Sequence, residues 1–215
     1  FQNTLDELIF NKFEGQIDTG EMMDALLNKA YKSNIRIINN VSVESYEDIG
    51  PSVKVNTNQF TISCNKLFIA TNGFSESIIQ EKVVPARAQV LITKPIKNLK
   101  VIGTFHFQQG YYYFRNIDDR ILLGGGRNLD FHIENTNQFG VTDTIQSKLE
   151  QLLTDVILPQ SNFEIEQRWS GIMGIGNKKN TITKQLSNNV YCGVRLGGMG
   201  VAIGTNIGSE LANLI

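Results

Sequence analysis

The last segment of the chain, residues 190–215, constrains the fold more than any other. Val190–Val194 is a short apolar run that predicts a buried strand. Three glycines follow within four residues: Gly197, Gly198 and Gly200. The residues after them have the apolar spacing of a helix. The sequence therefore predicts a strand, a glycine turn and a helix in direct succession.

The glycine spacing, Gly198-x-Gly200 with Gly204 four residues later, resembles the start of a dinucleotide-binding unit. A complete fingerprint needs a second strand and an acidic residue about 20 positions later, and the sequence stops at residue 215. Two interpretations stay open. The N–H groups at the helix N-terminus, with about half a positive charge, face a flat or anionic ligand. Alternatively, the glycines only let the strand and helix pack closely.

Composition excludes several classes of protein. Lys and Arg number 20 and Asp and Glu 21, a net charge of −1, which argues against a nucleic-acid partner. Cys64 and Cys192 are far apart and predict neither a disulfide framework nor a zinc site. No apolar run reaches the ~18 residues of a membrane span. We therefore expect a cytoplasmic protein without a metal that acts on a small molecule.

The first 84 residues have an α/β pattern. Residues 18–34 predict a helix with one apolar stripe, and 35–38 predict a short buried strand. Strands on either side of Thr57-Asn58 predict a hairpin. A buried strand, 67–70, then runs into Thr-Asn-Gly. This order is typical of the second half of a nucleotide-binding domain.

The pattern changes near residue 85. Strand-like segments follow one another up to about residue 185, and they predict an antiparallel sheet. Residues 142–159 predict an amphipathic helix that Pro159 ends. The organisation is thus an α/β piece, an inserted antiparallel domain and a return to the α/β piece.

Six segments, in the right order over residues 15–215, resemble the D-amino-acid oxidase/glycine oxidase/sarcosine oxidase family of FAD-dependent oxidoreductases. They are GQIDTGEMMDALLNKA, LFIATNGF, VPARAQVLIT, YYYFRNIDDRILLGGGR, RWSGIMG and GVRLGGMGVAIGTNIGSELANLI. In this family the last strand and helix lie under the flavin ring, and the dinucleotide fingerprint lies near the N-terminus. The resemblance implies that the chain is the C-terminal part of a longer enzyme.

The fold class implied by the resemblance is α+β: a partial FAD/NAD(P)-binding α/β domain with an inserted antiparallel-sheet substrate domain. The expected boundaries are 1–84 for the partial FAD-binding domain, 85–185 for the substrate domain and 186–215 for the return. As an alternative for the start of the chain, residues 1–17 pair with the sheet domain and not with the FAD-binding domain. The half-sheet that ends at Ala70 exposes an edge, so self-association through that edge is expected.

The resemblance also implies a set of cofactor-binding residues. The backbone of Val41 matches the position that contacts adenine, and a core position is the alternative. Ala70, Thr71 and Gly73 match the strand that runs close to FAD, and a plain turn is the alternative for the last two. The loop that faces the flavin pyrimidine edge is matched by five residues: Gly197, Gly198, Met199, Gly200 and Val201.

On the substrate side, the resemblance points to Tyr112 or Tyr113. Side chains alternate along a strand, and we favour Tyr113 over a position in the core or on the sheet surface. Arg115 or Arg127 could pair with a carboxylate, unless they are solvated surface residues. Trp169 would wall the pocket or serve only in packing.

One residue departs from the family pattern. Amino-acid oxidases of this family commonly carry an arginine in the W-x-G-L-R-P stretch, where it holds the substrate carboxylate. This chain has Met173 there, which favours an amine substrate or a carboxylate held by another arginine.

The function implied is oxidation of the C–N bond of an amine or amino acid by hydride transfer to FAD. The alternative is a folded, non-catalytic fragment or binding module that does not hold FAD by itself. A third possibility is a modified-nucleoside amine on RNA, and the near-zero net charge argues against it.

Overall fold

A computed structural model of the protein describes residues 9–215. Residues 1–8, which are part of the segment 1–17 named above, lie outside the described residues. The elements are, in chain order, α1 (Thr19–Lys32), β1 (Val43–Asp48), β2 (Val53–Thr57), β3 (Thr61–Cys64), β4 (Leu67–Ile69), β5 (Val84–Thr93), β6 (Thr104–Phe107), β7 (Tyr112–Ile117), β8 (Arg120–Gly125), α2 (Phe131–Glu134), α3 (Asp143–Leu152), β9 (Ile165–Ile175), β10 (Ile182–Ser187), β11 (Val190–Val194) and α4 (Gly200–Ala212).

The chain forms two compact units. One contains residues 9–18 together with Arg87–Gly171, and we call it the sheet unit. The other contains Thr19–Ala86 and Ile172–Ile215, and we call it the α/β unit. Among residues 9–215, no helix is both long enough and apolar enough to cross a membrane.

A five-stranded sheet in the order β6-β7-β8-β5-β9 forms the centre of the sheet unit. The pairs β6–β7, β7–β8 and β5–β8 are antiparallel, which confirms the predicted sheet. One face packs against α3, where Leu91, Tyr112 and Phe114 share a core cluster with Ile145 and Leu149. Because side chains alternate along a strand, the other face of the sheet carries the odd-numbered residues of β7.

The helix predicted over 142–159 begins close to its expected start and changes character before its end. Asp143–Leu152 is α-helical, and Leu153–Ile157 continues as a wider π-helical turn. The Leu158 N–H donates to the Leu153 carbonyl at 2.8 Å, five residues back. The wider turn keeps Leu153 and Ile157 in the core before Pro159.

A buried ion pair fastens the segment between β8 and α3 to β5. Glu134 is 0 % exposed and accepts two hydrogen bonds of 2.8 Å from the Arg87 guanidinium. Gln89 donates to Glu134 at 2.9 Å and to the Thr142 hydroxyl at 3.0 Å. Gln146 of α3 donates to Gln89 at 3.2 Å. The charges are paired and hydrogen-bonded, as buried charges must be.

The α/β unit is built on the three-stranded sheet β10-β11-β4, in which β11 and β4 are parallel. Alternate side chains of β11 enter a core with the meander β1-β2-β3: Val53, Val55, Val190, Cys192 and Val194. On the opposite face α4 lies close to Gly193, where a Cβ would be 3.2 Å from side-chain atoms of Ile207 and Leu211. The sheet is therefore covered on both faces.

Two sequence predictions are wrong in detail, and one strand has no counterpart among the predictions. Residues 35–38 form no strand, and Ile35 and Ile38 are 56 % and 50 % exposed. Strand β4 ends at Ile69, so Ala70 is exposed and outside it. The strand β10 was not anticipated. The first error has a local cause, because left-handed Asn34 and Asn40 turn the chain on either side of 35–38.

Asp48 ties the turn after β1 to the turn between β10 and β11. Its Oδ2 accepts from the Ser187 hydroxyl at 2.6 Å and from the Asn189 N–H at 2.9 Å. Its Oδ1 accepts from the Asn189 side chain at 3.1 Å. These bonds, the Ser187 bond first, lower the pKa of Asp48 to about 2.

We predict that Asp48 makes the protein sensitive to acid. The ordinary pKa of this carboxyl group is 3.8, and its pKa in the folded protein is about 2. At pH values between these two, the unfolded chain binds more protons than the folded protein does. The stabilisation is complete above about pH 4 and is lost as the pH falls through about 2. Thermal unfolding should show Asp48→Asn with a lower Tm than the unaltered protein at neutral pH and a shallower fall of Tm below pH 4. Asp24→Asn, on exposed α1, is the control, and a slope unchanged by Asp48→Asn would contradict the prediction.

We predict that Glu134→Ala destabilises the sheet unit by about 3–5 kcal/mol, because it leaves the Arg87 charge buried without a partner. Denaturant unfolding measures the change. The matched control is Glu164→Ala, which breaks the exposed pair with Lys94 and should have a much smaller effect. Equal effects of the two substitutions would count against the prediction.

Candidate functional site

Three segments of the α/β unit meet beside the N-terminus of α4. They are the turn after β4, the end of β9 and the loop between β11 and α4. The Leu196 N–H donates to Asn72 Oδ1 at 3.1 Å. The Gly197 N–H donates to the Gly174 carbonyl at 2.9 Å. Both neighbouring segments therefore hold the glycine loop through consecutive amides.

This junction is packed so closely that it requires glycine. A Cβ on Gly73 would lie 2.7 Å from the Met173 carbonyl oxygen, and one on Gly174 would lie 2.5 Å from Asn72 Oδ1. Gly198 has a φ of +83°, and a Cβ there would lie 3.1 Å from Met173 Sδ. The Met173 thioether thus lies against the glycine loop.

The glycine loop, which we define as residues 195–201, turns through left-handed backbone. Arg195, Gly197 and Gly198 have φ values of +62°, +60° and +83°. The Arg195 guanidinium donates to the carbonyl and to the side chain of Asn180 at 2.8 and 3.0 Å. These two bonds offset the cost of a left-handed conformation at a residue other than glycine.

The N-terminus of α4 presents unpaired N–H groups. Met199 is the N-cap and its side chain makes no capping bond. The amides of Gly198, Gly200 and Val201 have no acceptor among residues 9–215. A helix N-terminus carries about half a positive charge. The arrangement can hold an acceptor-rich, flat or anionic group.

The predicted cofactor residues fall into two groups. Gly73 and the loop from Gly197 to Val201 belong to the junction described above, and Ala70 and Thr71 are exposed just before it. Val41 lies elsewhere, on the segment that leads into β1. There Gln59 donates to the Asn40 carbonyl at 2.6 Å, and Ser42 N–H donates to Asn58 at 3.0 Å. The backbone on both sides of Val41 is therefore fixed.

Among the tyrosines, Tyr112 is 1 % exposed in the core of the sheet unit. Tyr113 lies on the opposite face, where a Cβ on Gly124 would be 2.6 Å from its hydroxyl oxygen. Burial raises the pKa of Tyr113, so its hydroxyl keeps its proton. Trp169 follows Arg168, which bonds to α3 through Gln146, so alternation puts Trp169 on the face away from α3.

Both candidate arginines already have partners. Arg115 donates to the Ile17 carbonyl at 2.5 Å. Arg127 donates to Asn135 at 2.5 Å, and its guanidinium lies 4.8 Å from the centre of the Phe131 ring. Burial lowers the pKa of Arg127, and its Nε is buried without a hydrogen-bond partner in the part of the chain that the structure describes. Either arginine could bind a carboxylate only with its remaining N–H groups.

Sequence reasoning passed over Asn72 and Arg195. Asn72-Gly73 directly after a strand is a turn signal, because asparagine tolerates left-handed backbone, and that signal was available. The long-range bond to Leu196 was not. The α/β unit also has a cleft of about 520 Å³ lined by Glu44, Tyr46, Glu81, Lys184 and other residues. None of the predicted site residues lines this cleft.

Comparison with known proteins places these features in a family. The family model described as FAD dependent oxidoreductase (DAO) matches residues 4–214. L-proline dehydrogenase from P. horikoshii has 22% sequence identity and a TM-score of 0.74, over 91% of this chain and 54% of that chain. Glycine oxidase from Bacillus cereus ATCC 14579 has 17% identity and a TM-score of 0.72, over 90% of this chain and 55% of that chain.

Glycine oxidase from Geobacillus kaustophilus has 14% identity and a TM-score of 0.74, over 90% of this chain and 53% of that chain. The chain therefore spans about half the length of these structures, and at such identities the likeness establishes the fold. No curated protein matches the chain significantly. Because the family model covers nearly the whole sequence, the chain belongs to the DAO family of FAD-dependent oxidoreductases, whose cofactor is FAD.

Proposed function

We propose that the chain contributes the flavin-edge loop and the substrate-facing sheet of an enzyme that oxidises the C–N bond of an amine or amino acid. The observation that carries the proposal is the group of amides at the N-terminus of α4, those of Gly198, Gly200 and Val201, that have no acceptor among the described residues. The family match and similar folds named glycine oxidase and L-proline dehydrogenase support the reaction type.

The glycine loop fits the edge of a flavin on two grounds. Gly197 has a φ of +60°, and no described atom lies within 4 Å of where its Cβ would be, so a flat ring can approach the main chain closely there. The 13-residue helix α4 places its positive end there. The loop residues would hold the pyrimidine edge, where the reduced ring carries negative charge. Ala70, Thr71 and Gly73 would line the cofactor, and the backbone of Val41 would contact the adenine.

FAD, when bound, accepts a hydride from the carbon next to the amine nitrogen. The residues of the chain orient the reactants and stabilise charge. On the sheet unit the Tyr113 hydroxyl can donate to a polar group of the substrate, and Trp169 would supply an apolar wall. An amine that binds in its neutral form needs no side chain to remove a proton.

Met173 sets the proposed preference among substrates. A thioether cannot form the charge-assisted bond to a carboxylate that an arginine makes. The two alternative arginines, Arg115 and Arg127, are already bonded to Ile17 and Asn135. We therefore propose a primary or secondary amine, or a carboxylate-bearing amine held by the remaining N–H groups of one of these arginines.

The alternative is a folded, non-catalytic binding module that does not hold FAD by itself. Among the described residues β4 pairs only with β11, and α1 has no buried residue. An open strand edge and an exposed apolar helix face favour association with another chain. We propose that the other chain is a second copy of this one and that the two copies associate through the β4 edge.

A cytoplasmic location and the lack of a nucleic-acid partner also stay predictions. Cys64 and Cys192 are both free thiols, which suits a reducing compartment. The net charge of −1 offers no excess of positive charge to phosphates.

We predict that the 215-residue chain binds FAD with a dissociation constant above about 1 µM, because the glycine turn and carboxylate that hold pyrophosphate and ribose are not among its motifs. Titration of FAD, followed by quenching of flavin fluorescence, measures the affinity. Sedimentation at several protein concentrations tests self-association in the same samples. Sub-micromolar, one-to-one binding to a monomer would contradict both the prediction and the binding-module alternative.

We predict that the flavin-loaded enzyme prefers amines to small α-amino acids and that Met173→Arg shifts kcat/KM toward α-amino acids by about 10- to 100-fold, the value of one charge-assisted bond. A substrate panel with Met173→Leu as the control measures the shift. Glycine or simple D-amino acids as the best substrates, with rates unchanged in Arg115→Ala and Arg127→Ala, would refute the proposed preference.

A further inference from the structure

We infer that Asn72 is a positioning residue that fixes the direction of the unpaired amides in the glycine loop and thereby controls how the loop holds the flavin edge. The inference rests on the proposed function for what the loop binds. Asn72 acts through Leu196, since its own side chain bonds to that amide and to no proposed ligand.

The first observation is the bond itself. Asn72 Oδ1 accepts from the Leu196 N–H at 3.1 Å. Leu196 stands between two left-handed residues, Arg195 and Gly197, whose φ values are +62° and +60°. Backbone in this conformation joins no helix or strand ladder that could fix it. The asparagine side chain supplies the acceptor that the secondary structure does not.

The second observation is that Asn72 is itself held rigidly. Its φ is +46°, a left-handed value that asparagine tolerates better than most residues. Its carbonyl accepts from the Ser75 hydroxyl at 2.6 Å and from the Ser75 N–H at 3.2 Å. Ser75 is 0 % exposed. The backbone that carries the acceptor side chain is therefore fixed independently of the loop.

The third observation is the space around that oxygen. A Cβ on Gly174 would lie 2.5 Å from Asn72 Oδ1, so only glycine at 174 leaves room for it. The Gly174 carbonyl in turn accepts the next loop amide, that of Gly197, at 2.9 Å. Two consecutive amides are thus fixed just before the free amides of Gly198 and Gly200.

Direction matters because the effect of a helix N-terminus falls off within its first turn. Donors stabilise a developing charge only when they already point at it. If the loop were released at Leu196, the amides would have to be ordered again each time the flavin binds. The rigidity set by Asn72 removes that cost.

Two substitutions separate the side chain of Asn72 from its backbone. Asn72→Gly keeps the left-handed conformation and removes the acceptor. Asn72→Asp keeps an acceptor oxygen in the same position. Asn98→Gly is the matched control, because Asn98 is also left-handed, with a φ of +58°, and lies in the sheet unit. Ser75→Ala, which loosens Asn72 without replacing it, is the second variant.

The readouts are amide hydrogen exchange of Leu196, followed by NMR, and the dissociation constant for FAD, titrated to millimolar concentration. In Asn72→Gly we expect exchange at Leu196 to be about tenfold faster and FAD binding about tenfold weaker, the value of one hydrogen bond. Exchange at Cys192 of β11 should not change. Asn72→Asp should restore slow exchange at Leu196. Ser75→Ala should also make exchange at Leu196 faster, but by a smaller factor than Asn72→Gly does.

Unchanged exchange at Leu196 in Asn72→Gly would overturn the inference. So would faster exchange at Leu196 with unchanged FAD affinity, because the bond would then serve only stability. Failure of the proposed function has a different signature: in the unaltered protein, FAD would shift no resonance of Gly198, Gly200 or Val201, and the inference would fall with it before any variant is compared.

Discussion

The candidate site depends on a place where three stretches of backbone approach each other more closely than a Cβ would allow. Gly73 and Gly174 leave no room for a side chain between the turn after β4 and the end of β9. That proximity lets Asn72 and Gly174 accept hydrogen bonds from Leu196 and Gly197. The start of α4, and with it the direction of the free amides, follows from this packing.

The central sheet of the sheet unit has one face packed against α3 and a second face that carries the alternate side chains of its strands. Its core side is filled by α3 and by the buried Arg87–Glu134 pair with Gln89. Tyr112 and Tyr113 illustrate the division, since neighbouring tyrosines on β7 lie on opposite faces.

Many of the strands and helices could be predicted from the sequence, because a short apolar run indicates a buried strand, as in β11, and apolar residues at helical spacing indicate an amphipathic helix, as in α3. The prediction failed at 35–38, a segment with three isoleucines that lies between two left-handed asparagines. No strand among residues 9–215 pairs with this segment. The glycine loop was recognisable from its spacing. Asn72 was not, because its importance comes from a partner 124 positions later in the sequence, at Leu196, and local patterns carry no information about such contacts.

The parallel pairing of β4 with β11 joins residues 123 positions apart, from Leu67 to Val190. Pairings of this kind form slowly, because a long stretch of chain must be closed before the contact is gained. Nearly all of the sheet unit, Arg87–Gly171, is one continuous segment, and in the sequence this segment comes after β4 and before β11. On the ribosome, where synthesis proceeds at about 5–20 residues per second, it can fold while β4 still waits for its partner. The glycine loop directly follows β11, so its bonds to Asn72 and Gly174 form only once these distant segments have been brought together.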